Sequence, residues 1–455
     1  MESGGFKGDV ETQELYKGWT KFNDEERSES YLYGSRLRFF GGSTNHWAGW
    51  CRPLDPIDFK KRDWVNHSGW PIDESDLKPY YSKAAEIVEI DHFKDYTDDG
   101  RGYAGEAAIV NSDNMCSKYF HFSPPTHFGA KYRRELVDAG NIRVCINANA
   151  KNISLSENGN HVNHVDFETL TGIRFNVEAK YTVVATGGVE NARLLLLSNK
   201  IQKNGIGNWH DQLGRYFMDH PHYPHAANVL FTETPGNLDT YDRGKNLKSF
   251  ATLGFTDQMQ QSNHLLNTAM QIDTSNKNTR EVKNASDAIR LFDDMRTGQR
   301  DGKGSFLAQL IMISELNPDP NNRVLLDDEV DRLGQQKSKL KLKLTEQHIN
   351  TITTSIELLS IELAKISNGR LRLAFDEDNP TRNYFPANHH SGTTRMSSSP
   401  RSGVVDADCK VHGVSNMFIA GSSVFPTTGF ANPTFTIVAL AQRLSDHVRQ
   451  LLERE

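Results

Sequence analysis

The chain has 455 residues, a formal net charge of -6 at pH 7 and four cysteines. This length allows a large core with two subdomains, and the mildly acidic balance argues against a nucleic-acid-binding surface. Cys51, Cys116, Cys145 and Cys409 lie far apart without a C-x-x-C pair, so neither a zinc site nor a disulfide framework is predicted. No apolar run approaches the roughly 20 residues of a membrane span, and no signal peptide is visible. We therefore expect a soluble protein and favour a cytoplasmic location.

A glycine pair follows a polar N-terminal region without clear periodicity. Residues 7–35 are mainly polar, and residues 36–47 then read R-L-R-F-F-G-G-S-T-N-H-W. Neighbouring glycines let the backbone approach a flat ligand closely because they carry no side chain. A formal G-x-G-x-x-G match at residues 100–105 follows acidic residues that do not form a strand, so we interpret it as a turn-rich loop.

The segment from Asp63 to Ile90 combines a tryptophan-rich start with an amphipathic helix. Asp73 or Ser75 is suited to cap this helix. Its apolar stripe consists of Leu77, Tyr80, Tyr81, Ala84 and Ile87. Core packing is the favoured role for most of these side chains. Trp70 is a weaker candidate for stacking on the face of a sugar.

Residues 143–185 show the pattern of a β-meander. Asn158-Gly159 is a strong hairpin signal, and Thr171-Gly172 marks the next turn. A near-continuous apolar strand at 180–185 runs into T-G-G at 186–188, and a helix follows through 191–197. This order offers a helix N-terminus to a phosphate or a nucleotide edge, although many strand-to-helix turns have this pattern.

The stretch D-H-P-H-Y-P-H at residues 219–225 is rich in histidine. Its spacing provides neither an i, i+4 pair on a helix nor an acidic partner at ligand spacing. We therefore predict no metal site here. We interpret the stretch as a strand whose histidines face solvent or an interface.

Residues 226–344 are predicted to form a substrate-side sheet. Residues 339–344 alternate strictly between lysine and leucine, which predicts a strand with one solvated face. The polar segment 276–304 is open to two interpretations, a lid over the site or a surface insertion, and we favour the insertion. Thr345 then caps a helix. Its apolar stripe consists of Ile349, Ile352, Ile356, Leu359, Leu363 and Ile366.

Three features lie close together near the C-terminus. His389 and His390 precede a Gly-Thr turn, residues 417–420 form an apolar strand that leads into A-G-S-S, and N-P-T at 432–434 opens a helix. The free N–H groups and the positive end of this helix favour an anion or an electron-rich ring beside it. Asn432 falls at the N-cap position, and a His–Asn pair could converge there.

These C-terminal motifs resemble a known family. The chain contains H-x-x-G-T-x-R-M, V-V-D, V-H-G-V-x-N and A-N-P-T-x-T in this order over roughly 60 residues. This series is similar to the C-terminal signature of the glucose–methanol–choline (GMC) flavin oxidoreductases. The His–Asn pair, with A-N-P-T in place of a second histidine, resembles the pyranose-oxidase-like branch.

The resemblance implies FAD as the cofactor and assigns its contacts. These are Glu2, Gly41, Gly42, Asn45, His46, Thr186, Gly187, Gly421, Ser422, Pro433 and Thr434. In the family, an acid in an E-S-G-G phrase holds the adenosine ribose, and Glu2 matches it. A histidine at the position of His46 packs against the flavin and in some members is bonded to it covalently, so both interpretations stay open for this chain.

The predicted fold is α/β. It combines an incomplete Rossmann-like FAD-binding domain with a substrate domain that has a mainly antiparallel sheet. The strand, glycine-rich turn, helix and second strand that the family places before E-S-G-G are expected to be missing, because the chain starts at that phrase. We assign residues 1–50, 143–215 and 381–455 to the FAD domain. Residues 51–142 and 216–380 are assigned to the substrate domain.

The resemblance also implies a reaction, the oxidation of an alcohol to a carbonyl by hydride transfer to flavin N5. The expected base is His389, because Gly392-Thr393 follows it at the family interval, and His390 is the alternative base. Asn432 is expected to hydrogen-bond the substrate oxygen. The substrate class by analogy is a sugar, glycoside or polyol. The electron acceptor, O2 or a quinone, and the oligomeric state stay open.

A second function class competes with this enzyme. Without its first βαβ unit, the chain could be a non-catalytic or FAD-deficient homologue. A third class, a sugar-binding module on the same scaffold, has no positive support in the sequence. The retained His389 and Asn432 favour the enzyme.

Overall fold

A computed structural model describes residues 1–23, 28–90, 113–231, 249–278, 306–366, 369–374 and 384–454. Two sequence features, the G-x-G-x-x-G match at 100–105 and most of the polar segment 276–304, lie outside these residues. The described part is a mixed α/β fold with antiparallel sheets, as predicted.

Helices and strands alternate irregularly along the described residues. The α-helices are α1 (Val10–Gln13), α2 (Ser30–Gly34), α3 (Pro56–Phe59), α4 (Glu74–Ile87), α5 (Phe128–Asp138), α6 (Glu190–Leu197), α7 (Asp257–Ser262), α8 (Glu346–Ile366) and α9 (Pro433–Arg454). The strands are β1 (Gly18–Phe22), β2 (Trp50–Cys51), β3 (Met115–Phe122), β4 (Asn149–Leu155), β5 (Val162–Glu168), β6 (Arg174–Val177), β7 (Thr182–Val184), β8 (Pro221–Phe231), β9 (Ser249–Phe255), β10 (Thr268–Asn278), β11 (Phe306–Ser314), β12 (Arg323–Val330), β13 (Gln336–Leu342), β14 (Gly369–Leu373), β15 (Phe385–Pro386) and β16 (Met417–Ile419).

The largest sheet is antiparallel and carries the histidine-rich stretch on one of its inner strands. Its order is β14-β8-β11-β10-β9-β3-β2, and β15 also pairs with β8. Helix α8 covers this sheet with Ile352, Ile356, Leu359 and Leu363, which are all buried in its core. Burial of each such side chain contributes about 1.5–3 kcal/mol, so the predicted apolar stripe accounts for the docking of the helix.

A smaller sheet joins distant parts of the chain. Strand β13 pairs in parallel with β1 and antiparallel with β12. Leu340 and Leu342 on β13 are buried whereas Lys341 between them is exposed, which confirms the predicted strand with one wet face. This pairing links segments that we assign to different domains, and the domain division itself stays a prediction.

The meander and the strand-to-helix turn appear as predicted. Strands β4, β5 and β6 form an antiparallel sheet, with Gly159 in its first turn at φ 74°. Strand β7 pairs in parallel with β16. Because parallel strands end at the same edge, the loops after β7 and β16 lie side by side. Helices α6 and α9 begin beyond these loops.

Helix α4 is capped as expected and packs against α9. The Asp73 side chain accepts a hydrogen bond from the Ser75 N–H at 2.8 Å. The Tyr81 ring lies 5.2 Å from that of Phe435 between ring centres. The Tyr81 hydroxyl is 3.0 Å from Thr436 Oγ1. This contact anchors α9, whose first turn holds part of the candidate site.

Trp70 does not fit the role of a sugar platform. It is buried, its Nε1 donates to Thr427 Oγ1 at 2.8 Å, and its ring packs against Phe59 and Phe425. The prediction of sugar stacking for Trp70 is therefore wrong. Because its ring and its N–H already contact other residues of the protein, this side chain cannot stack on a sugar.

The cysteines and the membrane expectation can be compared directly with the structure. All four cysteines are free thiols. Within the described ranges, no helix has both the length and the apolar character needed to cross a membrane.

Candidate active site

The adjacent ends of β7 and β16 form an open cradle of backbone. Gly187 has φ 93° and Gly421 has φ 113°, conformations that side chains rarely adopt. A Cβ added at Gly187 would meet no atom within 4 Å, and one added at Gly421 would meet only Asn191 Nδ2 at 3.9 Å. The backbone at both turns is therefore accessible, as the close approach of a phosphate or a flat ring requires.

Asn191 ties the two turns of this cradle together. Its Nδ2 donates to Ala420 O at 3.1 Å and to Ser423 Oγ at 2.8 Å. Its Oδ1 accepts from both the N–H and the hydroxyl of Thr186, at 2.7 and 2.8 Å. Sequence reasoning treated Asn191 only as part of a helix. The available sequence signal was an amide that precedes the leucines of α6, and the structure shows that this side chain is fully buried.

His389 and Asn432 lie in contact, although 43 positions separate them in the chain. The distance between His389 Nε2 and Asn432 Nδ2 is 3.3 Å. Asn432 immediately precedes α9, and His389 follows β15. The fold thus brings together the two residues that the motifs singled out, while their catalytic roles stay predictions.

The His389 ring is held in its neutral form. Burial lowers its pKa well below the usual 6.5, and the neighbouring His220, His222 and His390 lower it further. An imidazole that is neutral at physiological pH can accept a proton, which is the property that a general base needs.

Asp219 anchors the main chain that carries His389. Its buried carboxylate accepts from the N–H groups of His389 at 2.8 Å and of Asn388 at 3.2 Å. The Tyr31 hydroxyl donates to the same carboxylate at 2.6 Å. Asn388 has φ 64°, so these bonds hold a turn that most side chains disfavour. Neither Asp219 nor Tyr31 was identified from the sequence.

The histidine-rich stretch was predicted to be a strand whose histidines face solvent or an interface, and the structure places His220 differently. His220 is completely buried, and its Nδ1 lies 2.8 Å from His389 Nδ1. The His222 ring centre is 6.3 Å from that of His389, and only His225 of the three is exposed. The interpretation is therefore wrong for His220, because β8 begins beside the site and turns this side chain inward. Among the described residues, no group of three or more His, Cys, Asp or Glu side chains is arranged to hold a metal ion.

His390 packs rather than facing Asn432. Its ring lies 5.3 Å from that of Tyr31 and 5.4 Å from that of Phe217, measured between ring centres. Its carbonyl accepts from Ser422 Oγ at 2.5 Å, which fastens the His389 segment to the cradle. A Cβ on Gly188 would overlap this histidine, so Gly188 makes room for it.

The predicted flavin-facing loop is a compact turn. Asn45 donates to the carbonyls of Phe40 at 3.2 Å and Gly42 at 2.9 Å, which closes the 3₁₀ turn Gly42–Asn45. A Cβ on Gly41 would lie 2.5 Å from Gly129 N, so close packing against α5 already requires this glycine. The side chain of His46 is exposed. Flavin contact and covalent attachment at this loop stay predictions.

The remaining predicted cofactor residues lie in three places. The Glu2 carboxylate accepts from Gly4 N at 2.8 Å, and the Glu2 N–H donates to Cys145 O at 2.7 Å, beside the meander. Ser422 is buried in a short 3₁₀ turn of the cradle. Pro433 and Thr434 form the first turn of α9. Their cofactor roles also stay predictions.

Comparison with known proteins agrees with the motifs. Residues 318–441 match the family model described as GMC oxidoreductase. The chain is 26% identical over 467 residues to 2-methyl-1,2-propanediol dehydrogenase of Mycolicibacterium austroafricanum, covering 90% of this chain and 80% of that protein. It is 28% identical to the fructose dehydrogenase large subunit of Gluconobacter japonicus, covering 60% of this chain and 47% of the relative. A C-glycoside 3-oxidase of Microbacterium trichothecenolyticum is 29% identical over 65% of this chain and 51% of its own length.

Two solved structures share the fold. A formate oxidase superposes with a TM-score of 0.57, at 14% identity and with 100% of this chain and 93% of that chain covered. Pyridoxine 4-oxidase from Mesorbium loti superposes with a TM-score of 0.58, at 14% identity and with 99% and 93% covered.

The described part of the chain therefore shares the fold of these two oxidases. Residues 318–441 match the GMC oxidoreductase family, as the C-terminal motifs indicated, and the relatives found are oxidoreductases. The chain spans about half the length of the fructose dehydrogenase subunit and of the C-glycoside oxidase that it matches.

Proposed function

We propose that this protein oxidises a hydroxyl group to a carbonyl, with FAD as cofactor and His389 as general base. The observation that carries the proposal is the contact between His389 Nε2 and Asn432 Nδ2 at 3.3 Å. Burial and the neighbouring histidines lower the pKa of His389, which keeps its ring neutral. A neutral base next to an amide N–H is suited to take the proton of a hydroxyl while the amide binds its oxygen.

FAD fits the residues at the cradle. Gly187 and Gly421 leave open space where a Cβ would stand, and the first turns of α6 and α9 begin near these loops. Thr186, Gly187, Gly421, Ser422, Pro433 and Thr434 would hold the cofactor, together with Glu2 and the loop of Gly41, Gly42, Asn45 and His46. When bound, FAD supplies the hydride acceptor, which no side chain can provide.

The protein side of the reaction is a proton transfer at His389. Nε2 of His389 would take the proton of the substrate hydroxyl, and bound FAD would supply the acceptor for the hydride of the same carbon, which balances the change to a carbonyl. Asn432 Nδ2 donates to the substrate oxygen and fixes its position. Asp219 keeps the backbone of His389 in place during this step, through the hydrogen bond at 2.8 Å.

A polyhydroxylated substrate, such as a sugar, glycoside or polyol, is the class we favour. The names of three relatives refer to fructose, a C-glycoside and a propanediol. Asn432 Oδ1 is also buried and finds no hydrogen-bond partner among the described residues. This acceptor would be satisfied by a second hydroxyl of the substrate.

The first test is an absorbance spectrum of the purified protein before and after acid precipitation. A yellow protein that then oxidises polyols with O2, a quinone or an artificial dye would support the proposal. Colour that stays with the precipitate, and is lost in His46→Ala, would assign covalent attachment to His46. A protein that takes up no added FAD would contradict the proposal and support the FAD-deficient alternative.

The role of His389 needs its own variant. We expect His389→Ala to keep its flavin spectrum and to lose kcat by about 100-fold or more, because a general base contributes roughly this amount. His348→Ala is a matched control, since His348 is also a buried, hydrogen-bonded histidine but contacts Tyr223 and Glu315 instead. Unchanged turnover in His389→Ala would exclude His389 as the base.

A further inference from the structure

The contact between His220 and His389 constrains where their protons lie. The two Nδ1 atoms are 2.8 Å apart, a distance at which one nitrogen donates and the other accepts. Burial lowers the pKa of His220 to about 3 and that of His389 well below its usual value, so both rings are neutral. Each neutral ring carries one N–H, and a single proton therefore lies between the two Nδ1 atoms.

Asn432 decides which ring holds that proton. Its Nδ2 donor lies 3.3 Å from His389 Nε2, so Nε2 is the bare nitrogen of His389 and the proton of that ring lies on Nδ1. His220 Nδ1 then accepts, and the proton of His220 lies on Nε2, which has no hydrogen-bond partner within the described residues. With its proton on Nε2, His220 presents a bare Nδ1.

The same order continues through His389. A bare Nδ1 on His220 requires His389 to carry its proton on Nδ1 and to donate it. His389 Nε2 is then bare, and it can accept from Asn432 Nδ2 at 3.3 Å. Both contacts in this series, His220 with His389 and His389 with Asn432, pair one donor with one acceptor.

We propose that His220 is a positioning residue that selects the tautomer of His389 with an unprotonated Nε2. This inference rests on the proposed role of His389 as base. Asp219 and His220 are neighbours in the chain. Asp219 holds the main chain of His389, and His220 determines which ring nitrogen of His389 carries the proton. His220 takes up no proton itself: when His389 receives the substrate proton at Nε2, its Nδ1–H is still donated to His220.

The test is to observe the tautomer of His389 by nitrogen NMR on protein labelled with 15N-histidine, with and without added FAD. Ring nitrogens with and without a proton have well-separated shifts, and subtraction of the His389→Ala spectrum identifies the signal. We expect the wild-type His389 to carry its proton on Nδ1. His220→Leu should move a large fraction of it to Nε2. His220→Asn keeps an acceptor near the Nδ1 position and should restore the wild-type state.

His348→Leu is the matched control for loss of a buried histidine. It should leave the His389 signal unchanged, although it removes the hydrogen bond to Tyr223. In turnover assays, His220→Leu should lower kcat by about 100-fold with a smaller change in KM, and His220→Asn should recover much of the loss.

Two outcomes would overturn the inference. The first is a wild-type His389 with its proton on Nε2, a result that does not depend on any variant folding. The second is a folded His220→Leu protein with an unchanged His389 tautomer. Failure of the proposed function gives a different result. An active His389→Ala protein would show that His389 is not the base, but it would not change the tautomers measured by NMR.

Discussion

Glu190 and Arg36 form a buried ion pair that fastens the N-terminal loop to the cradle. Arg36 Nη1 lies 2.7 Å from Glu190 Oε1, and Arg193 Nη1 lies 3.2 Å from Glu190 Oε2. Arg38 also contacts Glu190 and donates to Ser3 Oγ at 2.7 Å. Glu190 stands in the first turn of α6, so this carboxylate joins the segment before Gly41 to the helix that follows Gly187.

Removal of this carboxylate should destabilise the protein strongly. We expect Glu190→Gln to lower the free energy of unfolding by about 3–5 kcal/mol, because it leaves the buried Arg36 without its counter-charge. Urea unfolding measures the change. Glu14→Gln is the control, since Glu14 pairs with Lys17 on the surface and its loss should leave the unfolding midpoint unchanged. Equal effects of the two variants would contradict this account.

The same carboxylate should contribute to acid unfolding. Burial alone would raise the pKa of Glu190, but Arg193, Arg36 and Arg38 lower it from 4.5 to about 2. Its stabilisation is therefore present above pH 4.5 and is lost as the pH falls towards 2. Between these values the stability of Glu190→Gln should depend less on pH than that of the wild type. Parallel pH profiles would show that another group controls acid unfolding.

Asp55 and Asp58 should lose unequal amounts of stability when each is replaced by asparagine. Burial, followed by Asp55 and Glu315, raises the pKa of Asp58 to about 7. Arg52 and Lys118 overcome the effect of burial and keep the pKa of Asp55 below its usual value. We expect Asp55→Asn to lower the free energy of unfolding by about 3–5 kcal/mol, because it leaves the buried Arg52 and Lys118 without their counter-charge.

Asp58→Asn is the internal comparison for that variant. It should cost only about 1 kcal/mol, because Asp58 is already partly protonated at neutral pH and its change removes little charge. Urea unfolding at pH 7 measures both. A larger loss for Asp58→Asn than for Asp55→Asn would show that the charges are assigned to the wrong members of the pair.

Gly421 should be required for the backbone of the cradle. Its φ of 113° and ψ of 177° suit only glycine, so Gly421→Ala should cost about 1–3 kcal/mol of strain. If FAD lies there, the added methyl group should also weaken FAD binding, as measured by flavin fluorescence titration. Gly140→Ala is the control, because Gly140 has open space around it and no such φ. Unchanged FAD affinity in Gly421→Ala would move the cofactor away from this turn.

The pH dependence of turnover should reflect the lowered pKa of His389. Because burial and three nearby histidines hold this pKa well below 6.5, the base is neutral at pH 6.5 and above. We expect kcat/KM to be constant from pH 6.5 upwards and to fall only at lower pH. A limb centred near the ordinary histidine value would indicate a different, solvent-exposed base.

The sequence by itself determined several helices and strands, because their patterns depend only on neighbouring residues. The alternation at residues 339–344, the apolar stripe of α8 and the cap of α4 each appear as predicted, because periodicity and capping depend on neighbours within a turn or two. The C-terminal motifs likewise indicated the resemblance to GMC oxidoreductases, and this resemblance singled out His389 and Asn432, which the structure places in contact.

Only the tertiary structure decided what surrounds the base. His220 and His389 are separated by 169 positions, and Tyr31 and Asp219 by 188, so no local pattern connects them. The histidine-rich stretch was misread because the direction of a side chain at the start of β8 depends on which elements pack beside that strand. Trp70 and Asn191 show the same limit: their roles follow from burial and partners that exist only when distant segments meet.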